Sequence, residues 1–594
     1  MPSPDRNILQ FQKIEFQHKV PFIIYADFES IIIPYHSVQP KNQSAYTEKI
    51  ARHEPCGYAY VVIDANGKML KPITVYRGPD AAIHFINNLI KEKDQITPMI
   101  TTIMPMNLSP EEEEQFNSET RCYLCKHLLE NDKFSEIAIP PASAFYSTLS
   151  GEHVSEEDYE HAKNVWSTFK IKSLGEYHDL YVASDVLLLA DVFENFRNIC
   201  LKNYELDPAH LITSPSLAWQ ACLKMSRQPL ELFTSIDMHL FIEKGIRGGI
   251  SMICKRYARA NNRHLDNYNP SSPSKYIIYL DANNLYGWAM SQALPYGDFK
   301  WISPHTFNTE QILSIHENSE VGYVFEVDLE YPTKLHNLHS DYPLAPEKLL
   351  IKKHMISPTS RNILQTFDFE NFHESEKLVP NLMNKNNYIV YYKNLQLYLS
   401  LGLKLTKVHK VLSFKQKPWL KPYIEFNTNQ RKLASSSFEK DFFKLLNNSV
   451  YGKTMENVRK HSNVQLVTSE KQAKKLVAAP TFKRFKIITE SLVVLEKLKS
   501  CITLNRPIYI GFVILELSKV LMYNFHYNHI KKRYMDKANL LFTDTDSLTY
   551  EIETEDIYRD MGENLNIYDT LTIHRITHYI VKKTKNELVV LRMK

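Results

Sequence analysis

The chain has 594 residues, which is too long for one hydrophobic core and predicts several domains. Apolar residues make up 44% and charged residues 23%, and the net charge of only +4 excludes a simple polycation. Seven scattered cysteines argue against a disulfide framework, and the sequence has neither a secretory leader nor an apolar run of about 20 residues. We therefore expect an intracellular protein of the cytoplasm or nucleus, not secreted and without a membrane partner.

The first predicted strand that carries candidate chemistry covers residues 22–30 and includes Asp27 and Glu29. Residues two apart on a strand share one face, so both carboxylates point the same way. Two acids on one face repel each other unless a cation neutralises them, which favours a metal site. An edge strand with its charged face in water is the alternative.

Two further patterns precede residue 200. Cys122 and Cys125 have the spacing of zinc ligands and His127 is near, but no second Cys/His pair follows, so ordinary free thiols are favoured. Tyr181 and Asp185 lie four residues apart in a predicted helix and share a face, where a phenol beside a carboxylate can orient a metal-bound water. Taken alone, these two residues favour a buried amphipathic helix with one capped acid.

The centre of the chain contains a glycine loop and then a strand that ends in an acid. Arg247, Gly248 and Gly249 lie in a basic loop whose glycines allow close approach to a phosphate backbone, although an ordinary tight turn is the simpler explanation. The apolar strand 276–281 delivers Asp281 just before a turn into a helix. Such an acid can hold a metal while helix-terminal amides receive a triphosphate, or it can merely cap the helix.

A predicted helix that ends at Gly452 carries one polar stripe. Its members, at helical spacing, are Lys440, Lys444, Asn448 and Tyr451. Cations, an amide and an aromatic ring on one stripe can grip phosphates and pack beside a base. A solvated lysine face is the alternative, and Gly452 is the predicted C-cap.

Two carboxylates, Asp544 and Asp546, lie in a short polar segment between an apolar run and an alternating one. The pattern predicts strand, turn and strand, with the acids at the bend. Mg²⁺ takes a few carboxylate oxygens together with substrate phosphate oxygens, so this bend suits phosphoryl transfer. A hairpin turn whose acids bond only their own backbone is the simpler explanation for the segment taken alone.

Taken together, these segments resemble the family B DNA polymerases, and specifically the protein-primed branch found in viruses, organellar plasmids and Maverick/Polinton-like transposons. Residues 279–287, 444–452 and 542–547 resemble polymerase motifs A, B and C, and residues 27–29 and 181–185 resemble the first and third 3′–5′ exonuclease motifs. The five motifs occur in the order typical of the family. The resemblance covers nearly all of residues 15–565.

The resemblance implies a multidomain α/β and α+β fold. It would be a right-hand polymerase with palm, fingers and little or no thumb, joined to a shortened RNase H-like exonuclease module. The expected segments are an exonuclease-like module (1–205), a connector with the Gly-Gly loop (206–274), palm with motif A (275–400), fingers with motif B (401–465), palm with motif C (466–565) and a divergent tail in place of the thumb (566–594).

The implied function is that of a DNA-directed DNA polymerase, which transfers a nucleotide from a dNTP to a 3′-hydroxyl on primer–template DNA, with a terminal protein as primer. Asp281 and Asp546 would hold two Mg²⁺ ions, for which Mn²⁺ could substitute, and Asp544 would support them. Lys444 would neutralise the triphosphate and Tyr286 would exclude a ribose 2′-hydroxyl. The remaining expected nucleotide-binding residues are Leu285, Asn448, Tyr451 and Arg431, and the expected DNA contacts are Arg247, Gly248 and Gly249.

One departure from the family pattern affects a second activity. The second exonuclease motif is not found between the first and third, so we expect proofreading by Asp27, Glu29, Tyr181 and Asp185 to be impaired. Two alternatives remain for the whole chain. It could be a catalytically inactive nucleic-acid-binding remnant of a polymerase, or a stand-alone nuclease.

Overall fold

The structure is a computed structural model that describes residues 1–34, 51–78, 80–101, 137–145, 153–366, 372–489, 492–564, 567–569 and 591–593. The chain forms two compact units, which confirms the expectation of several domains. The larger unit contains Met1–Lys13, Thr213–His461 and Ser500–Lys594, and the smaller unit contains Ile14–Ile212 and Ser462–Lys499. The predicted thiol pair and its neighbouring histidine, residues 122–127, lie outside the described residues.

The smaller unit contains two three-stranded antiparallel sheets. The first consists of Phe22–Pro34, Ala51–Asp64 and Thr74–Arg77, and the second has the order Asn463–Val467, Leu492–Lys497 and Phe482–Thr489. The α-helices of this unit are Ala81–Thr101, Glu156–Thr168, Leu174–Tyr204 and Glu470–Val477. The predicted palm segment 466–565 is therefore divided, because its first part forms a sheet that belongs to the smaller unit.

The first sheet is covered on both faces because its apolar residues alternate. One face, with Tyr25 and Val61, packs against Val182 and Val186 of the helix Leu174–Tyr204. The other face, which includes Tyr58, Tyr60 and Val62, packs with Ala81 and Ile96 of the helix Ala81–Thr101. Successive strand residues point to opposite faces, so the odd-numbered acids that follow Tyr25 share its face.

The larger unit is built on a six-stranded sheet, called here the central sheet. Its strands follow the order Tyr568–Asp569, Leu591–Met593, Lys275–Ala282, Ser547–Glu553, Ala538–Asp544 and Ser251–Ile253. The first two strands run parallel and every other neighbouring pair is antiparallel. The predicted divergent tail thus returns to pair with the strand that carries Asp281, which the sequence analysis did not anticipate.

The remaining elements of the larger unit pack around this sheet. A four-stranded antiparallel sheet has the order Lys385–Tyr391, Val321–Glu330, Lys404–Lys417 and Leu294–Ile302. Two strand pairs join Ile8–Leu9 to Leu230–Glu231 and Glu347–Ile351 to Ser375–Val379. The helices are Ser214–Ser226, Ile236–Gly245, Leu285–Met290, Thr309–Leu313, Pro358–Thr366, Tyr392–Ser400, Lys421–Leu433, Ser437–Thr454, Ile508–Asn524, Lys532–Tyr534 and Ile557–Gly562.

One described helix, Ile508–Lys537, is long and apolar enough to cross a membrane by length and composition. It begins as the α-helix Ile508–Asn524 and continues through a π-helical segment, Phe525–Lys531. Most of its apolar residues are buried inside the protein, which is typical of a core helix. This helix does not stand out in the sequence, because charged residues and histidines interrupt the apolar run.

Candidate functional site

The central sheet brings two of the predicted acids onto one face. In the register of the sheet, Asp281 lies opposite Ser547, and Ser547 lies opposite Asp544 on the following strand. Directly opposed residues of neighbouring antiparallel strands share a face. Asp281 and Asp544 therefore lie in one row, with Ser547 between them and about 10 Å separating their Cα atoms by the usual strand spacing. The predicted strand, turn and strand are confirmed.

Asp546 lies in the two-residue turn that closes this hairpin. Its backbone N–H donates to the Asp544 carbonyl at 2.6 Å, and its carbonyl accepts from the N–H of Ala282 at 2.7 Å. The second bond ties the turn to the residue next to Asp281. Thr545, between the two acids, has a φ of 56°, which is the left-handed region.

The predicted glycine loop packs directly beneath this turn. The carbonyl of Ile250 accepts from the N–H of Thr545 at 2.8 Å, and Ser251 pairs with Asp544 in the sheet. A Cβ atom added at Gly249 would overlap the Thr545 side chain, whereas one at Gly248 would meet nothing within 4 Å. Gly249 is therefore required by packing against the turn, and Gly248 is the exposed glycine of the pair.

We expect Gly249→Ala to destabilise the protein because the new methyl group must displace Thr545 or the loop. The loss in the free energy of unfolding should be about 1–3 kcal/mol, as for other overpacked positions. Gly248→Ala is the matched control and should stay within about 0.5 kcal/mol of wild type. Denaturant unfolding of the three proteins measures both values, and equal losses for the two variants would contradict the assignment.

Arg247, predicted as a DNA contact, is instead buried and only 8% exposed. Its Nη1 donates to the carbonyls of Gly245 at 3.1 Å and Ile389 at 2.7 Å, and its guanidinium lies 3.9 Å from the ring centre of Tyr388. A buried guanidinium needs such partners. The side chain therefore holds the loop against the four-stranded sheet, and the prediction of a DNA contact by this side chain is wrong.

The predicted polar stripe lies on the helix Ser437–Thr454, where Lys444 and Asn448 are exposed and Tyr451 is half-buried. Among the described residues, Lys444 forms no ion pair, so its ammonium group is available to an anion. The helix ends at Thr454, beyond the predicted end at Gly452. The reason is that Gly452 stays helical and does not adopt the positive φ of a glycine C-cap.

Tyr286 and Tyr451 form a parallel stack, with ring centres 5.0 Å apart and planes 8° from parallel. Burial, and then the charge of Asp546, raises the pKa of Tyr286. Burial, and then Tyr286, raises the pKa of Tyr451 to about 12. The three segments that resemble motifs A, B and C therefore meet here, and both phenols stay protonated at neutral pH. Both rings are predicted nucleotide-binding residues, but their contact with each other is not predictable from the sequence.

Two other predicted nucleotide contacts differ from this group. Leu285 is only 2% exposed and packs in the core, so only its backbone is available to a ligand. Arg431 is exposed on the helix Lys421–Leu433, which a hydrogen bond of 2.8 Å between Asn427 and Asn447 joins to the polar-stripe helix. The position of Arg431 relative to Asp281 and Asp546 therefore depends on the packing of these two helices, which is not evident from the sequence.

The acids that resemble exonuclease motifs gather in the smaller unit. Asp27 and Glu29 lie on the sheet face that packs against the helix carrying Tyr181 and Asp185. Burial raises the pKa of Glu29, and Asp27 and Asp185 raise it further, while His178 opposes them. Burial and Asp27 raise the pKa of Asp185, and Asp185 is the main cause of the raised pKa of Tyr181.

His178 is a neighbour of this cluster that the sequence analysis missed. Its ring lies so close to Gly57 that a Cβ there would overlap it, and Gly57 is the strand partner of Glu29. Its position three residues before Tyr181, on the same helix face, was the available signal. Within the described ranges, no three His, Cys, Asp or Glu side chains are already arranged as a metal-binding group.

The family model for DNA polymerase type B, organellar and viral, matches residues 155–532. This is more than half of the chain, so the protein belongs to that family of DNA polymerases. The matched range includes Asp281 and Lys444, whereas Asp27 and Asp546 lie outside it.

Solved structures similar to this chain include three of phi29 DNA polymerase. The enzyme in an orthorhombic crystal form is 12% identical with a TM-score of 0.44, and its ternary complex with primer-template DNA and incoming nucleotides is 13% identical with a TM-score of 0.42. The binary complex with primer-template DNA is 13% identical with a TM-score of 0.43. Each alignment covers 93% of this chain and 83% of the other. No curated protein matches the sequence.

Proposed function

We propose that this protein is a template-directed DNA polymerase that joins a dNTP to the 3′-hydroxyl of a primer. The observation that carries the proposal is the row of Asp281 and Asp544 with Asp546 in the adjoining turn, in a chain of the type B family. The stacked pair Tyr286 and Tyr451 beside these acids supports a nucleotide site, because its rings offer a flat surface next to carboxylates.

The donor set fits Mg²⁺, since this ion is usually bound by one or two carboxylates together with substrate phosphates. Asp281 and Asp546 would hold the ions, with Asp544 supporting them and Mn²⁺ as a substitute. When bound, the metal would stabilise the charge on the attacking and leaving oxygens.

The remaining roles belong to the chain's own side chains. Lys444 would attract the triphosphate through its exposed ammonium group. Tyr286 would lie under the sugar and exclude a 2′-hydroxyl, with its ring held in place by Tyr451. Asn448 would line the nascent base pair together with Tyr451. Priming by a terminal protein is the corresponding proposal for initiation, and it rests on the family resemblance.

The test is primer extension with four templates that differ only in the next base, each offered one dNTP at a time. A polymerase should add only the complementary nucleotide in each case, and only with a divalent metal. An inactive remnant would instead retard primer–template DNA in a gel without extending it. Extension that ignores the template base would contradict the proposal.

We also propose that proofreading is impaired. The cluster of Asp27, Glu29 and Asp185 supports a nuclease site, but two-metal hydrolysis needs the carboxylate of the second motif, and we find no such motif between the first and the third. Labelled single-stranded DNA should therefore keep its length when incubated with the protein and Mg²⁺. Metal-dependent shortening that Asp27→Ala abolishes would overturn this proposal and favour a working exonuclease.

A further inference from the structure

Two ion pairs gather just beyond the C-terminal end of the polar-stripe helix. Arg459 makes a two-pronged contact with Glu243, with Nη1 2.6 Å from Oε1 and Nη2 3.1 Å from Oε2. Arg506 contacts Glu456 through Nε at 2.8 Å and Nη2 at 2.6 Å from the same oxygen. We call these four residues the helix-end cluster. Lys453 also contacts Glu456 at 3.2 Å, so Glu456 is a point where several cations converge.

The helix-end cluster joins segments that lead to the candidate site from two directions. Glu456 and Arg459 follow the helix Ser437–Thr454, whose last turns carry Tyr451. Glu243 lies near the end of the helix Ile236–Gly245, and the loop after that helix reaches Thr545 within a few residues. The Arg459–Glu243 pair is therefore a short link between the polar-stripe helix and the loop beneath the turn that carries Asp546.

A further contact keeps the end of the polar-stripe helix in a fixed position. A Cβ atom added at Gly511 would overlap Met455 and approach Thr454 Oγ1 at 2.8 Å. The helix Ile508–Asn524, which contains Gly511, therefore packs closely against the C-terminal end of the polar-stripe helix. The link to Glu243 is made by charge, so the two supports can be disturbed separately.

The exposure of the pair argues against a mainly stabilising role. The side chains of Arg459 and Glu243 are 43% and 37% exposed. Exposed ion pairs contribute little to stability, because solvent screens them and both side chains lose conformational freedom. The two-pronged geometry, however, fixes direction as well as distance between the two groups. A contact of this kind affects orientation more than folding.

We propose that Arg459 and Glu243 are positioning residues for the incoming nucleotide, through the orientation of the helix that carries Lys444 and Tyr451. The proposal rests on the proposed polymerase function. Neither side chain needs to touch the substrate, because a small rotation of the helix displaces both binding groups. A small misplacement of the groups that bind a substrate lowers an enzyme's activity even when all of these groups are still present.

The experiment measures dNTP KM and kcat in primer extension for wild type, Arg459→Ala, Glu243→Ala and the double variant. Each single variant should raise KM about threefold to fivefold, with a smaller change in kcat, as expected for the loss of a partly exposed pair. The double variant should be no worse than either single one. Arg459→Lys keeps the charge but not the fork and should recover only part of the loss, whereas exchanging the residues (E243R with R459E) should restore KM.

A matched control is Lys404→Ala, which removes a similarly exposed pair with Glu330 in the same unit. It should leave KM unchanged, and thermal unfolding should find all variants folded. Additive losses in the double variant, or an unchanged KM in the single variants, would overturn the inference while leaving the polymerase function intact. If wild type itself gave no templated extension, the proposed function would fail. The increase in unfolding temperature caused by a dNTP, compared between wild type and the Arg459 and Glu243 variants, would then test the role of the pair in nucleotide binding.

Discussion

Asp546→Asn should reduce Mg²⁺-dependent primer extension by about 10³-fold or more, corresponding to about 4 kcal/mol of lost transition-state stabilisation. The substitution keeps the size of the side chain but removes its negative charge. Because the backbone of Asp546 bonds to Asp544 and Ala282, the turn should persist in the variant. Quench-flow or gel-based extension with limiting enzyme measures the loss.

Asp536→Asn is the matched control, since Asp536 is exposed in the same unit and lies in the short helix Met535–Lys537, which precedes the strand that ends at Asp544. It should extend primers like wild type. Equal activity in Asp546→Asn and wild type would point to a contaminating polymerase and would remove the basis for the assignment. A low activity accompanied by a lower unfolding temperature would indicate a folding defect instead. Asp546→Glu, which keeps the negative charge, would then show whether the loss of charge or the change in structure lowers the activity.

Lys444→Ala should raise the dNTP KM by about 10- to 100-fold, because a charge-assisted hydrogen bond to phosphate contributes about 1.5–3 kcal/mol. Lys444 is exposed and forms no ion pair among the described residues, so its removal leaves no buried acid without a partner. The free energy of unfolding should therefore change little. Steady-state extension at varied dNTP concentration gives the KM.

Lys440→Ala provides the comparison for this prediction. Lys440 lies one helical turn earlier on the same stripe and is also exposed. The phosphate interaction is local, so this variant should raise KM less than Lys444→Ala. Comparable increases for both lysines would indicate general electrostatic attraction of the nucleotide, and the specific role of Lys444 would then be withdrawn.

The strands that carry the acids were predictable from sequence because apolar runs and alternation depend only on neighbouring residues. Lys275–Ala282, Ala538–Asp544 and Ser547–Glu553 all occur where the pattern indicated. The i, i+2 spacing of Asp27 and Glu29 also predicted their common face correctly. These features depend only on residues a few positions apart, so a short stretch of the hydrophobic pattern is enough to predict them.

The failures involve partners that are distant in the chain. The acceptor of Arg247 is the carbonyl of Ile389, 142 residues away, so the local basic loop gave no sign of burial. The strand Leu591–Met593 pairs with a strand some 300 residues earlier in the chain, and its sequence alone has no distinctive alternation. The stack of Tyr286 on Tyr451 likewise depends on helix packing. Propensity and periodicity contain no information about such pairings.

The left-handed backbone of Thr545 affects both the folding stability of the protein and the spacing of the two acids beside it. A β-branched residue adopts this conformation at a cost of about 1–3 kcal/mol, which the surrounding structure must offset. Glycine at this position would relieve the strain, but it would also loosen the only residue that separates two carboxylates. If the acids act as proposed, this strained turn keeps their charges at a fixed spacing, and we expect Thr545→Gly to raise the free energy of unfolding while lowering the rate of primer extension.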